Sequence, residues 1–287
     1  MDTFTRYGQV LLTFARNSLV RDMSFRANFI IETISALAWI LMNLGFYLLI
    51  FNQEPSPSLG FGAWSKYQFF AFFATTTLIS GIVEAFFMYN AEEFSELIRT
   101  GNLDFALLKP IDTQFLVSLQ KIDWSSLSTT LFGVVLLVFS VYQLEMAGSL
   151  SLSFWHLALY PVYILCGVGI FYSVMISMAA TSVWLGRNQS LQQFWFYITI
   201  FARYPMEIYS GPPGTSRYWL GWGLRGVFTF IIPVLVAVNV PARLLVMPLT
   251  REFWWFALYA LAATAFSLWF SRRIFKLALK SYRSASS

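Results

Sequence analysis

The amino-acid sequence predicts an all-α polytopic membrane protein with six transmembrane helices, on three observations. Of 287 residues, 57% are hydrophobic and only 11% charged, against roughly 25% charged in soluble domains. Several apolar runs exceed the roughly 18 residues a helix needs to cross a bilayer. The basic residues stand scattered at the ends of those runs, as topology signals do, and do not cluster as a nucleic-acid surface would. A soluble globule cannot cover itself with so little charge. The net charge of +5 therefore points to a bilayer and to no nucleic acid.

The first element is an amphipathic helix over residues 4 to 17. Phe4, Tyr7, Leu11 and Phe14 share one face and Arg6, Gln9, Thr13 and Arg16 the other, so it is expected to lie in the headgroup layer. Arg6, Gln9, Arg16 and Arg21 interrupt the apolar start, and no small-residue cleavage site follows, so the N-terminus is expected to be retained. Six spans follow at about 27–51, 66–89, 122–144, 154–185, 220–240 and 253–274. Residues 190–210 read as an interfacial or re-entrant helix, because "FWFYITIFA" is too short to span and Pro205 and the Gly211 to Gly214 turn stop a regular helix. A seventh span is the competing reading. Six spans with the N-terminus inside leave only Lys66, Arg243 and Arg251 outside and place every other Lys and Arg in the cytoplasm. A seventh would put the basic C-terminal tail outside, against the positive-inside rule.

Between the second and third spans lies a charged stretch, "NAEEFSELIRTGNLDFALLKPID", residues 90–112. Asn90 and Glu93 have the spacing of a capping box, and Glu92, Glu93 and Glu96 favour the positive end of a helix dipole that Arg99 would close. The pattern predicts a short helix over about 91–100 ended by Gly101, then a second turn, capped by Asn102 or Asp104 and stopped by Pro110. Phe94, Leu97 and Ile98 share one side, which reads either as an apolar docking knob with a charged rim or as packing against span ends.

Within the spans, Glu32 and Glu84 sit near inner ends, Asn43 lies deeper with Trp39 one turn before it, and Thr75, Thr76 and Thr77 lie mid-span. Interhelical hydrogen bonding and a ligand pathway both account for them. Asp123 with Lys121 reads as an interface pair, and Glu207 with Arg203 as an i, i+4 pair. The dipeptide Gly-Lys never occurs, so the phosphate-cradling GxxxxGK[ST] loop is absent from this chain. "GWGLRG", Gly221 to Gly226, matches a dinucleotide fingerprint by letter but lacks the strand and helix it needs; its glycines are expected to permit close packing or a kink. "NQS" at Asn188 to Ser190 is a glycosylation sequon in form only. His156, the one histidine, and Cys166, the one cysteine, exclude a multi-histidine metal site and an internal disulfide.

"IRTGNLDFALLKP" (Ile98 to Pro110), "FARYPMEIYSGPPG" and "FIIPVLVAVNVPARLL" together resemble the membrane permease subunits of ABC-2 type ABC transporters, in the branch with a separate ATPase and often a second permease. The resemblance covers nearly the whole chain. It implies that residues 4–24 form an elbow helix on the inner leaflet and that 90–112 carries the coupling helix, with Glu92, Glu93, Phe94, Glu96, Leu97, Ile98, Arg99 and Asp104 meeting the ATPase. It also implies two permeases, identical or sister chains, two cytoplasmic ABC ATPases holding ATP and Mg, and no cofactor on this chain. A bacterial inner membrane with both termini cytoplasmic would be its place. The leading expectation is an exporter of a hydrophobic, cationic or lipid-like compound, with Glu32, Trp39, Asn43, Thr76 and Glu84 as pathway candidates. The alternative is a membrane-embedded enzyme of lipid or glycan metabolism, for which only His156 and Asp104 or Asp112 stand near an interface. A passive channel lacks charge rings or a filter-like loop.

Overall fold

The computed structural model describes residues 3–53, 64–150, 153–185, 191–209, 216–247 and 250–282. Helix α1 (Thr3–Ser24) leads into α2 (Arg26–Gln53). Then come α3 (Lys66–Thr100), the short α4 (Leu103–Leu107) and α5 (Thr113–Leu119), α6 (Ser126–Met146) and α7 (Phe154–Leu185). Helices α8 (Leu191–Ala202), α9 (Ser216–Gly226), α10 (Val234–Val246) and α11 (Arg251–Ser281) complete an all-α bundle without a strand among the described residues. Among the described residues five helices are long and apolar enough to cross a membrane, or six if a bent pair counts as one span.

The most deeply buried span is α3, which packs along α6. Glycine permits that closeness: a Cβ on Gly133 would stand 2.9 Å from the Leu78 backbone nitrogen, and one on Gly81 2.8 Å from that of Thr130. Gly167 does the same between α7 and α10, where a Cβ would meet the Ala237 carbonyl oxygen at 2.5 Å. Small residues at such crossings let dispersion hold helices that have no hydrophobic driving force between them in lipid. Gly223 and Gly226 of "GWGLRG" play no such part, since nothing lies within 4 Å of a Cβ at either. That segment is helical in α9 and forms no βαβ unit. The Asn188 sequon and the Gly211 to Gly214 turn lie outside the described residues.

Side-chain contacts define the two ends of the bundle. At one, Arg6 donates to the Pro110 carbonyl (3.0 Å), Phe94 packs on Phe275 (ring centroids 5.3 Å) and Ser95 bonds Ser182 (2.7 Å). At the other, Lys66 donates to Asn52 (3.2 Å) and Gln68 to the Val246 carbonyl (3.1 Å). Both described termini therefore share the end that carries residues 90–123.

Between Leu185 and Val246 the chain passes from one end to the other without a straight span. The structure differs here from a single fifth span over 220–240. Helix α9 runs through a π-turn, Val227–Ile231, and meets α10 at 87°. Pro233, which has no N–H, follows the break. Helix α8 packs on α7 through Trp195 and Phe171 (5.3 Å) and ends in a 3-10 turn, Met206–Tyr209, whose Met206 N–H is accepted by the buried Asn239 side chain (2.9 Å).

Several expected pairings are replaced. Glu207 binds Arg243 (3.1 Å) and Trp64 (3.0 Å), not Arg203, because the chain turns at Pro205 and carries Glu207 away from it. Arg203, which the charge count assigns to the cytoplasm, lies inside the bundle. Asp123 caps the start of α6 through Ser125 and Ser126 (2.6 and 2.7 Å), while Lys121 pairs with Glu93 (2.7 Å). Glu32 accepts from Asn28 (2.6 Å). His156 Nδ1 accepts from the Ser153 N–H (3.1 Å), a capping role at the start of α7.

Candidate functional site

The stretch 90–123 forms a compact platform at one end of the bundle. Its first piece is not a separate capped helix: α3 continues through it to Thr100 by way of a π-turn, Glu84–Met88. Such a turn frees backbone carbonyls, and here two of them have a donor from outside the helix ladder. The Ala85 oxygen accepts from the Asp123 N–H (2.8 Å) and the Phe86 oxygen from the Asn90 amide (2.8 Å). Asn90 therefore does not cap. It is buried and clamps Lys121 through both backbone groups, at 2.9 Å and 2.6 Å. Gly101 ends α3 in the left-handed region at φ 73°, as a C-terminal glycine does. Asn102 precedes α4 but makes no side-chain cap.

The apolar side of this helix faces inward. Phe94 is fully buried against Phe275 of α11, and Leu97 and Ile98 pack partly on the same core. The exposed apolar groups lie one turn later, on α4 and its end: Phe105 is 68% and Leu108 80% exposed, while Leu103 and Ala106 anchor the other face. Glu96 and Arg99 pair with each other on the exposed surface. Of the two sequence readings of Phe94, Leu97 and Ile98, the packing one matches their inward placement, and the exposed apolar residues Phe105 and Leu108 lie in the "FALL" that follows.

The platform is tied down at Asp112. Its carboxylate pairs with Arg272 of α11, with one contact at 3.0 Å, and accepts from the Phe115 N–H (3.0 Å) to cap α5. Its own N–H donates to Tyr7 (3.2 Å). Arg272 also donates to Gln114 (2.8 Å), which donates in turn to Tyr172 of α7 (3.0 Å). The Arg272 guanidinium holds the Asp112 carboxyl below its ordinary value. The inward side of α1 packs here as well: Tyr7 meets Phe115 edge-on (4.7 Å), Ser18 accepts from Ile122 (3.0 Å) and Trp124 donates to Ala15 (3.3 Å).

Inside the bundle, a cavity of 260 Å³ opens between α2, α3 and α6. Trp39, Asn43, Thr76 and Glu84, four of the five pathway candidates, line it together with Thr77, Ser80, Thr129 and Arg203. Arg203 faces Glu84 across it, and the Glu84 carboxylate has no hydrogen bond or ion pair among the described residues. Glu32 is not part of it; with Arg21, Asp22 and Asp123 it borders a separate pocket beside α1. No group of acidic, His and Cys side chains suited to a metal occurs among the described residues.

This architecture, long apolar helices with a polar-lined cavity and an ordered platform at one end, defines a polytopic helical membrane protein. The family model described as ABC-2 family transporter protein matches residues 37–286. The chain belongs to that family and is a membrane subunit of an ABC transporter. No curated protein and no solved structure matches it.

Proposed function

We propose that the chain is the permease of an exporter whose ATP hydrolysis takes place on a separate cytoplasmic ATPase, present in two copies with ATP and Mg. The platform end is cytoplasmic in this reading, so both termini lie inside, in the inner membrane of a bacterium. The single observation that carries it is the exposure of Phe105 and Leu108 on a platform tied to α1, α7 and α11 through Tyr7, Tyr172 and Arg272. An apolar tip with a polar surround suits insertion into a partner's cleft. Glu92, Glu93, Glu96, Arg99 and Asp104 supply the charged rim, and Phe94, Leu97 and Ile98 serve as the inward support that transmits movement to α11.

Closure of the ATPases on ATP would then favour one arrangement of the spans over the other, which is alternating access by population shift. The cavity lined by Trp39, Asn43, Thr76 and Glu84 lies on the pathway, for a hydrophobic, cationic or lipid-like compound. The exposed apolar faces of α2 and α9 meet lipid or the second permease. The test is the double variant Phe105→Asp, Leu108→Asp. It is expected to insert and fold as the parent does while losing the ATPase; an unaltered, stimulated ATPase on that variant would refute the docking assignment.

A further inference from the structure

The cavity holds a carboxyl group and a guanidinium that do not pair with each other. Among the described residues Glu84 has no hydrogen-bond or ion-pair partner, and Arg203 lines the same cavity. Three of the remaining polar lining groups, beside the Ser80 and Thr129 hydroxyls, have a donor committed to the backbone. The hydroxyls of Thr76 and Thr77 donate to the carbonyls of Phe72 (3.0 Å) and Phe73 (2.8 Å), and the Asn43 amide donates to that of Trp39 (2.7 Å). Their oxygens are left with lone pairs for the cavity, and Trp39 adds an aromatic ring. A carboxylate, acceptor oxygens and an indole are the partners an ammonium group takes. Arg203 offers the reverse, a planar fork of N–H donors that fits phosphate or carboxylate oxygens.

The geometry points to a zwitterionic ligand, its ammonium group against Glu84 and Trp39 and its acidic oxygen group against Arg203. A bare cation would leave Arg203 uncompensated and facing a like charge, and a bare anion would do the same to Glu84. A ligand bearing both charges leaves neither alone inside the bundle, where an unpaired charge is costly. The 260 Å³ volume is below the roughly 300–1,000 Å³ of sites for drug-sized compounds, so it admits a compact headgroup-sized body. This names the substrate class for the proposed permease and rests on that reading for the cavity's place in transport. Binding itself requires no ATPase.

The experiment uses the full-length protein in mild detergent and three probes in equilibrium binding: sn-glycero-3-phosphocholine, choline and glycerol 3-phosphate. The zwitterion is expected to bind at least roughly tenfold tighter than either half, the range of one charge-assisted contact. Glu84→Gln should weaken the zwitterion and choline by about tenfold and leave glycerol 3-phosphate unchanged; Arg203→Gln should do the converse. Mass spectrometry of retained lipid separates the sources. A zwitterionic phospholipid kept by the parent and lost from Glu84→Gln identifies a lipid headgroup, and binding of the free probe without retained lipid identifies a soluble zwitterion. Choline binding as tightly as the zwitterion, indifferent to Arg203→Gln, would overturn the proposal in favour of a plain cation site. No probe bound and no lipid retained would overturn it outright, and the probe series on the parent protein decides this even if a variant does not fold. Failure here with the ATPase still attached leaves the permease reading standing, and zwitterion binding without any ATPase does the opposite.

Discussion

Phe94 and Phe105 stand eleven positions apart in one charged stretch, and truncating each should produce opposite defects. Phe94 is fully buried on Phe275, itself fully buried. Phe94→Ala therefore leaves a cavity and is expected to cost about 3–5 kcal/mol, or roughly ten degrees of melting temperature for a chain of this size. Phe105 keeps 68% of its surface in solvent. With about a third of the roughly 1.5–3 kcal/mol of full burial at stake, Phe105→Ala should cost about 0.5–1 kcal/mol and shift the melt by only a few degrees. On ATPase affinity the order reverses. A central apolar anchor is worth about 2 kcal/mol or more, so Phe105→Ala should weaken the complex roughly thirtyfold. The assay pairs thermal melts of the purified protein with titration of the ATPase. A Phe105→Ala variant as thermolabile as Phe94→Ala, or one with undiminished ATPase affinity, would refute the division between support and docking surface.

Three further outcomes follow from the packing. Gly133→Ala places its Cβ 2.9 Å from the Leu78 nitrogen and should destabilise by about 1–3 kcal/mol in the same melts, whereas Gly45→Ala, with nothing within 4 Å, should be neutral or slightly stabilising. Asn239→Ala strips the acceptor from the buried Met206 N–H and should cost about 1–3 kcal/mol, loosening the turn that follows α8; hydrogen exchange at Met206 reports it directly. The Asp112 pair contributes stability that is fully present above the ordinary carboxylate pKa of about 3.9 and is lost as pH falls through the lowered folded value. With both side chains 37% exposed, solvent screening limits it to about 1 kcal/mol. Asp112→Asn should therefore melt below the parent at neutral pH, and the difference should vanish in strong acid.

What the sequence disclosed was what depends on local composition. The apolar lengths of α2, α3, α6, α7 and α11, and Gly101 as a helix end, follow from runs and caps that any window of the chain contains. The broken passage did not show itself, because an apolar window scores alike whether its helix runs straight or turns 87° at a proline. The sequence offered inward packing of Phe94 as one of two readings and could not choose it, because the partner Phe275 is remote in the chain and the helix is continuous with the span before it. Arg203 read as a cytoplasmic charge on the 190–210 helix, since a guanidinium that lines a cavity and a topology signal are written with the same letter. Trp39, Asn43, Thr76 and Glu84 were legible singly as polar groups in apolar spans. Their meeting in one cavity depends on α2 crossing α3, which no spacing reveals.

The central claim, that residues 90–112 engage an ATPase, is tested most directly by purifying the tagged protein from its native membrane in mild detergent and weighing the intact complex by mass spectrometry. Two copies of a soluble ATP-binding subunit are expected per pair of permeases, lost together when Phe105 and Leu108 are changed to Asp. A folded permease that carries no such subunit, or keeps it through that change, would contradict the account.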